Sequence, residues 1–172
     1  MPRKLHAILP RLPAVIVAAV VAVAGCAGIP ADPEGTLGRA SGGTLRVGMS
    51  PEQPWTAVAG GERSGVEVGL IEDFAASIDA ELEWRDGGEE SLIEALHLGE
   101  LDVVVGGLTA KSPWASQAAL TRPYVVVTSP TGSPESHVMA TRRGENALLV
   151  ALEAHLYRHE AQVAEQVGGE QP

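Results

Sequence analysis

The stretch from Gly99 to Thr128, GELDVVVGGLTAKSPWASQAALTRPYVVVT, most constrains how this chain can fold. Gly99 follows an amphipathic segment, at the position where glycine commonly ends a helix. The apolar run Val103–Val105 comes next. It is too short for a helix and is bounded by turn residues, which indicates a strand buried on both faces of a parallel sheet. Because ligands of open α/β sheets bind beyond the carboxyl ends of strands, the loop from Gly106 to Trp114 is predicted to line any ligand site.

Short β-type runs alternate with helical patterns before this stretch. In the first helical pattern, Leu70, Ile71 and Phe74 share one face. This alternation predicts right-handed parallel crossovers and a sheet covered by helices on both faces. The predicted order is strand Thr44–Met49, helix Val68–Ala80, strand Leu82–Arg85, helix Glu90–Leu98 and strand Asp102–Gly106.

The second half of the chain contains two more strand-like runs, Tyr124–Thr128 and His137–Thr141. The segment between them, 129–136, reads SPTGSPES, a composition typical of a loop. A long amphipathic helix is predicted after Glu145, with an inner face formed by Leu148, Leu149, Leu152, Leu156 and Val163.

The segment Met1–Cys26 has the pattern of an export signal. A basic start precedes the apolar run Leu12–Ala24, which is shorter than the ~20 residues that a membrane-spanning helix needs. The end of the segment, VAGC, resembles the lipobox at which bacteria cleave a leader and attach lipid to the cysteine. We therefore expect Cys26 to be lipidated and to anchor the chain on the outer face of the cell membrane. The alternative is an ordinary cleavage site with an incidental cysteine.

Residues 27–43 are rich in Gly, Pro and Ala and are predicted to form a flexible tether. Residues 44–167 suffice for one domain, followed by a disordered tail over 168–172. Removal of the leader leaves 9 basic residues against 22 acidic ones, a net charge of about −13. Such a charge disfavours nucleic acid as a partner.

Taken in order, the segments LRVGMSPEQPW, GVEVGLIEDFAASI, SLIEALHLGELD and GELDVVVGGLT…TRPYVVV resemble the amino-acid-binding proteins of ABC importers, solute-binding protein family 3. The resemblance covers residues 44–128, with a weaker match over 137–165. It implies an α/β fold, a three-layer lobe of the type II periplasmic-binding-protein kind. In the family a second lobe of roughly a hundred residues begins after the Pro-Tyr strand. Here only 129–136 stands in its place, so we expect a single lobe with an antiparallel hairpin.

The resemblance also implies a ligand site around Gly107, Leu108 and Thr109. In the family, hydroxyls, backbone N–H groups and an arginine hold the α-carboxylate of the amino acid. Thr109 keeps the first hydroxyl position, Lys111 stands at the second, and Trp114 stands at the arginine position. Neither Lys nor Trp reproduces a bidentate guanidinium, and losing such a partner costs about 2–5 kcal/mol. Binding of a free amino acid is therefore expected to be weak.

Trp55 falls near the position of an aromatic wall in the family. Three interpretations of Trp55 and Trp114 stay open at this point. They pack over the surface that a second lobe would cover, they form an exposed patch for a protein partner, or they flank a small-molecule pocket with Thr109 and Lys111 between them.

Other chemistry is sparse. His155 and His159 are spaced to share a helix face, but no third ligand accompanies them, so no metal site is predicted. No nucleophile motif or phosphate-binding loop is present, and we expect neither an enzyme nor a cofactor.

The sequence supports two functional hypotheses. In the first, this is a lipid-anchored extracytoplasmic accessory module with weak or no amino-acid binding, which docks on an ABC permease or another membrane protein. In the second, it is a receptor for an amino acid or small polar solute whose second wall comes from a dimer or a membrane partner. A decayed gene product is a third alternative, against which the preserved helical faces argue.

Overall fold

The computed structural model describes residues 32–169 and 171–172, so the predicted leader and Cys26 lie outside the described residues. In chain order the helices are α1 Thr36–Ala40, α2 Val66–Ser77, α3 Glu89–His97 and α4 Asn146–Val167, with a short 3-10 helix at Pro113–Ser116. The strands are β1 Thr44–Met49, β2 Ala57–Ala59, β3 Glu62–Ser64, β4 Glu81–Asp86, β5 Val103–Val105, β6 Ala119–Leu120, β7 Val125–Thr128, β8 Pro134–His137 and β9 Ala140–Thr141.

The main sheet has the strand order β4-β1-β5-β9-β6. Strand β1 pairs in parallel with β4 and with β5, and Val47 stands opposite Trp84 on one side and Val103 on the other. The strands β9 and β6 extend the sheet in antiparallel pairing. The predicted β-α-β-α-β unit is therefore confirmed, as is the α/β fold class.

Helices cover both faces of this sheet and create two apolar layers. Leu45, Val47 and Met49 alternate along β1 and join the helices α2 and α4 in the larger core cluster. On the opposite face Val104 packs with Leu92 and other residues of α3 in the second cluster. The predicted three-layer arrangement follows from this division.

The hairpin of β7 and β8 stands where the family's chain crosses to a second lobe. The two strands are antiparallel, with Val125 opposite His137 and Thr128 opposite Pro134. The hairpin expected from the resemblance is confirmed. Its turn is shorter than the predicted loop 129–136, because β8 already begins at Pro134.

The two ends of the domain differ from the sequence-based predictions. The tether predicted for 27–43 is wrong over its described part, because α1 packs there and Ala40 belongs to the larger core cluster. The carboxylate of Glu145 accepts hydrogen bonds from the N–H groups of Glu34 (3.1 Å) and Thr36 (3.2 Å), which holds this segment against α4. The predicted disordered tail begins as a helix cap, since the N–H of Gly169 donates to the carbonyl of Ala164.

Candidate functional site

A cleft of about 470 Å³ opens at the carboxyl ends of β1 and β5, where the strand order predicts a ligand site. The segment after β1, the loop after β5, the start of α3 and the β7–β8 hairpin form its walls. The polar and aromatic residues among its lining are Glu52, Gln53, Trp55, Glu89, Thr109, Thr128, Ser129, Glu135 and His137.

A fully buried carboxylate, Glu67, shapes the floor of this cleft. Its Oε2 accepts hydrogen bonds from the N–H groups of Gly106 (2.7 Å) and Gly107 (3.0 Å), and its Oε1 accepts one from the hydroxyl of Tyr124 (2.6 Å). Burial raises the pKa of Glu67, and these three hydrogen bonds oppose that rise. Burial and the neighbouring carboxylate together raise the pKa of Tyr124. Through these hydrogen bonds, Glu67 on α2 connects this helix to the loop after β5 and to the start of β7.

Two stacked rings lie beside this point. Trp55 and His137 have ring centroids 3.8 Å apart, and Tyr124 meets Trp55 edge-on at 6.3 Å. His137 is only 3% exposed, and within the part of the chain that the structure describes neither of its ring nitrogens has a partner within hydrogen-bond geometry. Burial lowers the pKa of His137, although Glu135 and the nearby Gly107 backbone oppose the shift. The ring is therefore neutral at physiological pH.

The structure brings three of the predicted site residues to the cleft, namely Trp55, Gly107 and Thr109. Gly107 has a φ of 67°, and a Cβ at this position would lie 2.6 Å from Cδ1 of Trp55. Glycine is therefore required for both conformation and space. Thr109 pairs with His137 in a β-bridge, which fastens the loop to the hairpin.

The other three predicted residues lie outside the cleft lining. Leu108 is buried in the second core cluster, and its carbonyl accepts the N–H of Val138 at 2.9 Å. Lys111 lines an adjoining recess of about 230 Å³, which shares Thr109 and Glu135 with the cleft. Trp114 packs against the second cluster, and its indole N–H donates to Oε1 of Glu89 at the start of α3.

These positions bear on the three interpretations of the tryptophans. Trp55 is 5% exposed and belongs to the larger core cluster, so it does not form an exposed patch. The two tryptophans do not flank one pocket, because Trp114 faces α3 instead. The packing interpretation describes both residues, and Trp55 in addition lines the cleft.

Sequence reasoning missed Glu67, His137 and the carboxylates of Glu52, Glu89 and Glu135. A signal for Glu67 was present, because it is a single acid inside the apolar run GVEVGLI. An acid in such a run needs buried partners. No comparable local signal marks His137, whose neighbours come from distant parts of the chain.

The paired histidines of α4 occupy a different part of the molecule. The ring of His155 is buried edge-on against Phe74, and Nδ1 of His159 lies 2.9 Å from the carbonyl oxygen of His155. Within residues 32–169 and 171–172, no group of three or more His, Cys, Asp or Glu side chains is arranged to hold a metal ion.

Comparison with known proteins identifies the class of this fold and cleft. A sequence profile of the bacterial extracellular solute-binding proteins, family 3, matches residues 45–163. The chain belongs to this family, whose members are exported. The family and the fold are those of solute-binding proteins.

The similarity to an individual curated protein is low and covers only part of each chain. A "probable histidine-binding protein" of Campylobacter jejuni is 28% identical over 82 residues, which are 47% of this chain and 32% of that protein. The aligned region thus spans about a third of the length of this curated relative.

Solved structures match the chain as a single lobe. The arginine-bound form of domain 1 from TmArgBP is 28% identical, with a TM-score of 0.60 over 68% of this chain and 93% of that one. EhuB in complex with hydroxyectoine is 14% identical, with a TM-score of 0.67 over 80% of this chain and 93% of that one, and it shows the fold alone.

None of the helices in the described part of the chain is long and apolar enough to cross a membrane.

Proposed function

We propose that this chain is an extracytoplasmic solute-binding lobe that holds an amino acid or a related small polar solute in the cleft between β1, β5 and the β7–β8 hairpin. The observation that carries the proposal is the cleft itself, at the carboxyl ends of two adjacent parallel strands, with a floor fixed by Glu67. The likeness to the arginine-bound domain 1 of TmArgBP supports ligand capture by a first domain.

The proposed affinity is weak. A two-lobe binder encloses its ligand on all sides, and micromolar binding corresponds to about −8 kcal/mol. A single lobe supplies one wall, yet the loss of rigid-body freedom on binding must still be offset. A dissociation constant in the millimolar range or weaker follows from this argument.

The cellular setting is part of the proposal. Cys26 would carry a lipid that anchors the lobe at the outer face of the membrane, near an ABC permease or another membrane protein. The alternative function is an accessory module that docks on such a partner without binding a solute. We assign no catalytic role, because the cleft has no nucleophile paired with a base.

The test is an NMR titration of the full chain in detergent micelles with L-amino acids and their amine derivatives, to about 10 mM. We expect amide shifts concentrated on residues 106–109 and 135–137. A folded spectrum without shifts would overturn solute binding and favour the accessory role.

Two glycine variants make this test specific. Gly107→Ala places a Cβ against Trp55 and should reduce binding about tenfold or more, since it fills the cleft floor. Gly60→Ala is the matched control, because Gly60 has a similar φ of 62° and nothing lies within 4 Å of an added Cβ. Equal losses in both variants would contradict the assignment of the cleft.

A further inference from the structure

The cleft is lined by acidic side chains without basic partners. Glu52, Glu89 and Glu135 contribute carboxylates, and within residues 32–169 and 171–172 no Lys or Arg lines the cleft. Lys111 lines the adjoining recess, next to Glu135. The ion pairs in the described part of the chain use other acids, and none involves these three. Three carboxylates along one cleft, with a single lysine in the adjoining recess, leave a net negative potential there.

The backbone N–H groups that could hold an anion at this site already donate hydrogen bonds within the protein. The N–H groups of Gly106 and Gly107 donate to Glu67, and the N–H of Ala110 donates to the carbonyl of Ser136 at 2.8 Å. At the position where the family resemblance implies an arginine, the indole of Trp114 donates to Glu89. A ligand carboxylate would therefore meet carboxylates and few donors.

A buried, unpartnered histidine lies in the same wall. Among the described residues neither ring nitrogen of His137 has a partner within hydrogen-bond geometry, although the Gly107 backbone is nearby. The residue is only 3% exposed and lines the cleft. A neutral imidazole offers one lone pair as an acceptor. A buried polar group without a partner is costly, and a ligand N–H placed here would satisfy this nitrogen.

We propose that the cleft binds an organic cation that has a primary amine or a guanidinium group but no carboxylate. It prefers this cation to the corresponding amino acid. The inference rests on the proposed function and names the chemical class of its solute. The cationic end of the ligand meets Glu52, Glu135 and the free oxygen of Glu89, and one of its N–H groups donates to His137. An α-carboxylate would be brought against like charges, which selects against amino acids.

Matched ligand pairs test this preference directly. The full chain in detergent micelles is titrated at 150 mM salt with agmatine and L-arginine, then with cadaverine and L-lysine, and amide shifts are followed. Each amine should bind at least about tenfold more tightly than its amino acid. L-Arginine methyl ester, which keeps the size of the amino acid but removes the negative charge, should bind nearly as well as agmatine.

Charge variants locate the effect in the cleft. Glu52→Gln and Glu135→Gln should each weaken agmatine binding several-fold. They should weaken arginine binding less, because the lost attraction to its guanidinium is partly offset by the lost repulsion of its α-carboxylate, so the preference for agmatine narrows. Glu81→Gln is the matched control, because Glu81 is exposed on β4 and lies outside the cleft lining. Loss of agmatine binding in the control as well would show attraction to the whole acidic surface and overturn the proposal.

The outcomes for the two claims are distinct. If arginine binds as tightly as agmatine with shifts at the cleft, the preference for a carboxylate-free cation is wrong while solute binding stands. If neither member of either pair shifts the cleft amides, solute binding itself is wrong.

Discussion

Glu67 is a carboxylate that the fold encloses completely, and its two oxygens are committed to different segments. One oxygen holds the glycine turn after β5 and the other holds the hydroxyl of Tyr124 at the start of β7. A buried charge is tolerated only where hydrogen bonds replace water. The hydrogen bonds that offset the cost of burying the Glu67 carboxylate are therefore the same ones that fix the shape of the cleft floor.

Two substitutions of Glu67 should distinguish the contribution of its hydrogen bonds to stability from the contribution of its charge. Glu67→Ala leaves three buried donors without an acceptor and should lower the free energy of unfolding by about 3–5 kcal/mol. Glu67→Gln keeps a carbonyl for the glycine N–H groups and an amide for the Tyr124 oxygen, so its cost should be about 1 kcal/mol at neutral pH. Urea unfolding followed by circular dichroism measures both values. Equal costs for the two variants would contradict this account.

The raised pKa of Glu67 predicts that the stability difference between the natural chain and the Glu67→Gln variant depends on pH. The pKa of Glu67 is raised in the folded chain above its ordinary value of 4.5, so the folded state binds the proton more tightly than the unfolded state. The stability of the natural chain relative to the Glu67→Gln variant should be greatest below about pH 4.5. It should fall as the pH rises from 4.5 to the folded-state pKa and stay constant above it. Urea unfolding of both chains between pH 4 and pH 8 tests this, and a difference that is flat with pH would be contrary evidence.

Among the elements, α1 shows how a segment of loop-like composition becomes part of the core. The segment 27–43 has no apolar periodicity, which is why the sequence predicted a tether. The helix nevertheless forms, because the buried side chain of Glu145 accepts the N–H of its first residue, Thr36, and that of Glu34 just before it, from a position more than 100 residues away in the chain. No local pattern reveals such a partner.

Removal of this partner should detach α1. Glu145→Ala is expected to lower the free energy of unfolding by about 1–3 kcal/mol, since the N–H groups of Glu34 and Thr36 lose their acceptor. Hydrogen exchange at residues 34–40 should accelerate about tenfold or more, while exchange in β1 and β5 changes only as far as global stability does. Glu160→Ala, within α4, is the control and should leave exchange at α1 unchanged. Unchanged exchange in the Glu145 variant would contradict the docking role.

The elements also show what the sequence could predict. Strand β1 and helices α2, α3 and α4 follow from apolar periodicity, whereas the β7–β8 hairpin is expected from the family resemblance. The predicted position of its second strand is wrong, because β8 begins within the predicted loop 129–136 and the predicted strand His137–Thr141 contributes the short strand β9 to the main sheet. The small β2–β3 hairpin has only three residues in each strand, and its signal is confined to the Gly60-Gly61 turn. Cleft residues such as His137 were not predictable, because their partners Trp55 and Thr109 belong to other segments.

At the scale of the whole fold, the described residues form a single lobe with apolar layers on both sides of one sheet. This architecture limits how a ligand can be held. The cleft lies at the edge of the sheet and is closed by the hairpin on one side only. High affinity in a protein of this fold needs a second wall that excludes water from the ligand. The size of the stabilisation by ligand therefore reports whether such a wall exists.

Thermal unfolding with agmatine measures how much ligand binding stabilises the folded chain. For a dissociation constant of about 1 mM, 1 mM ligand stabilises the folded state by about 0.4 kcal/mol and 20 mM by about 1.8 kcal/mol. The corresponding rises in Tm are about 1 °C and about 5 °C. Melts monitored by circular dichroism, with ammonium chloride at matched ionic strength as the control, give the comparison. A micromolar site would instead give about 4 kcal/mol and more than about 10 °C at 1 mM ligand. That result would contradict a one-walled cleft and require a second copy of the chain across it, which sedimentation of the ligand-bound protein would detect as a dimer.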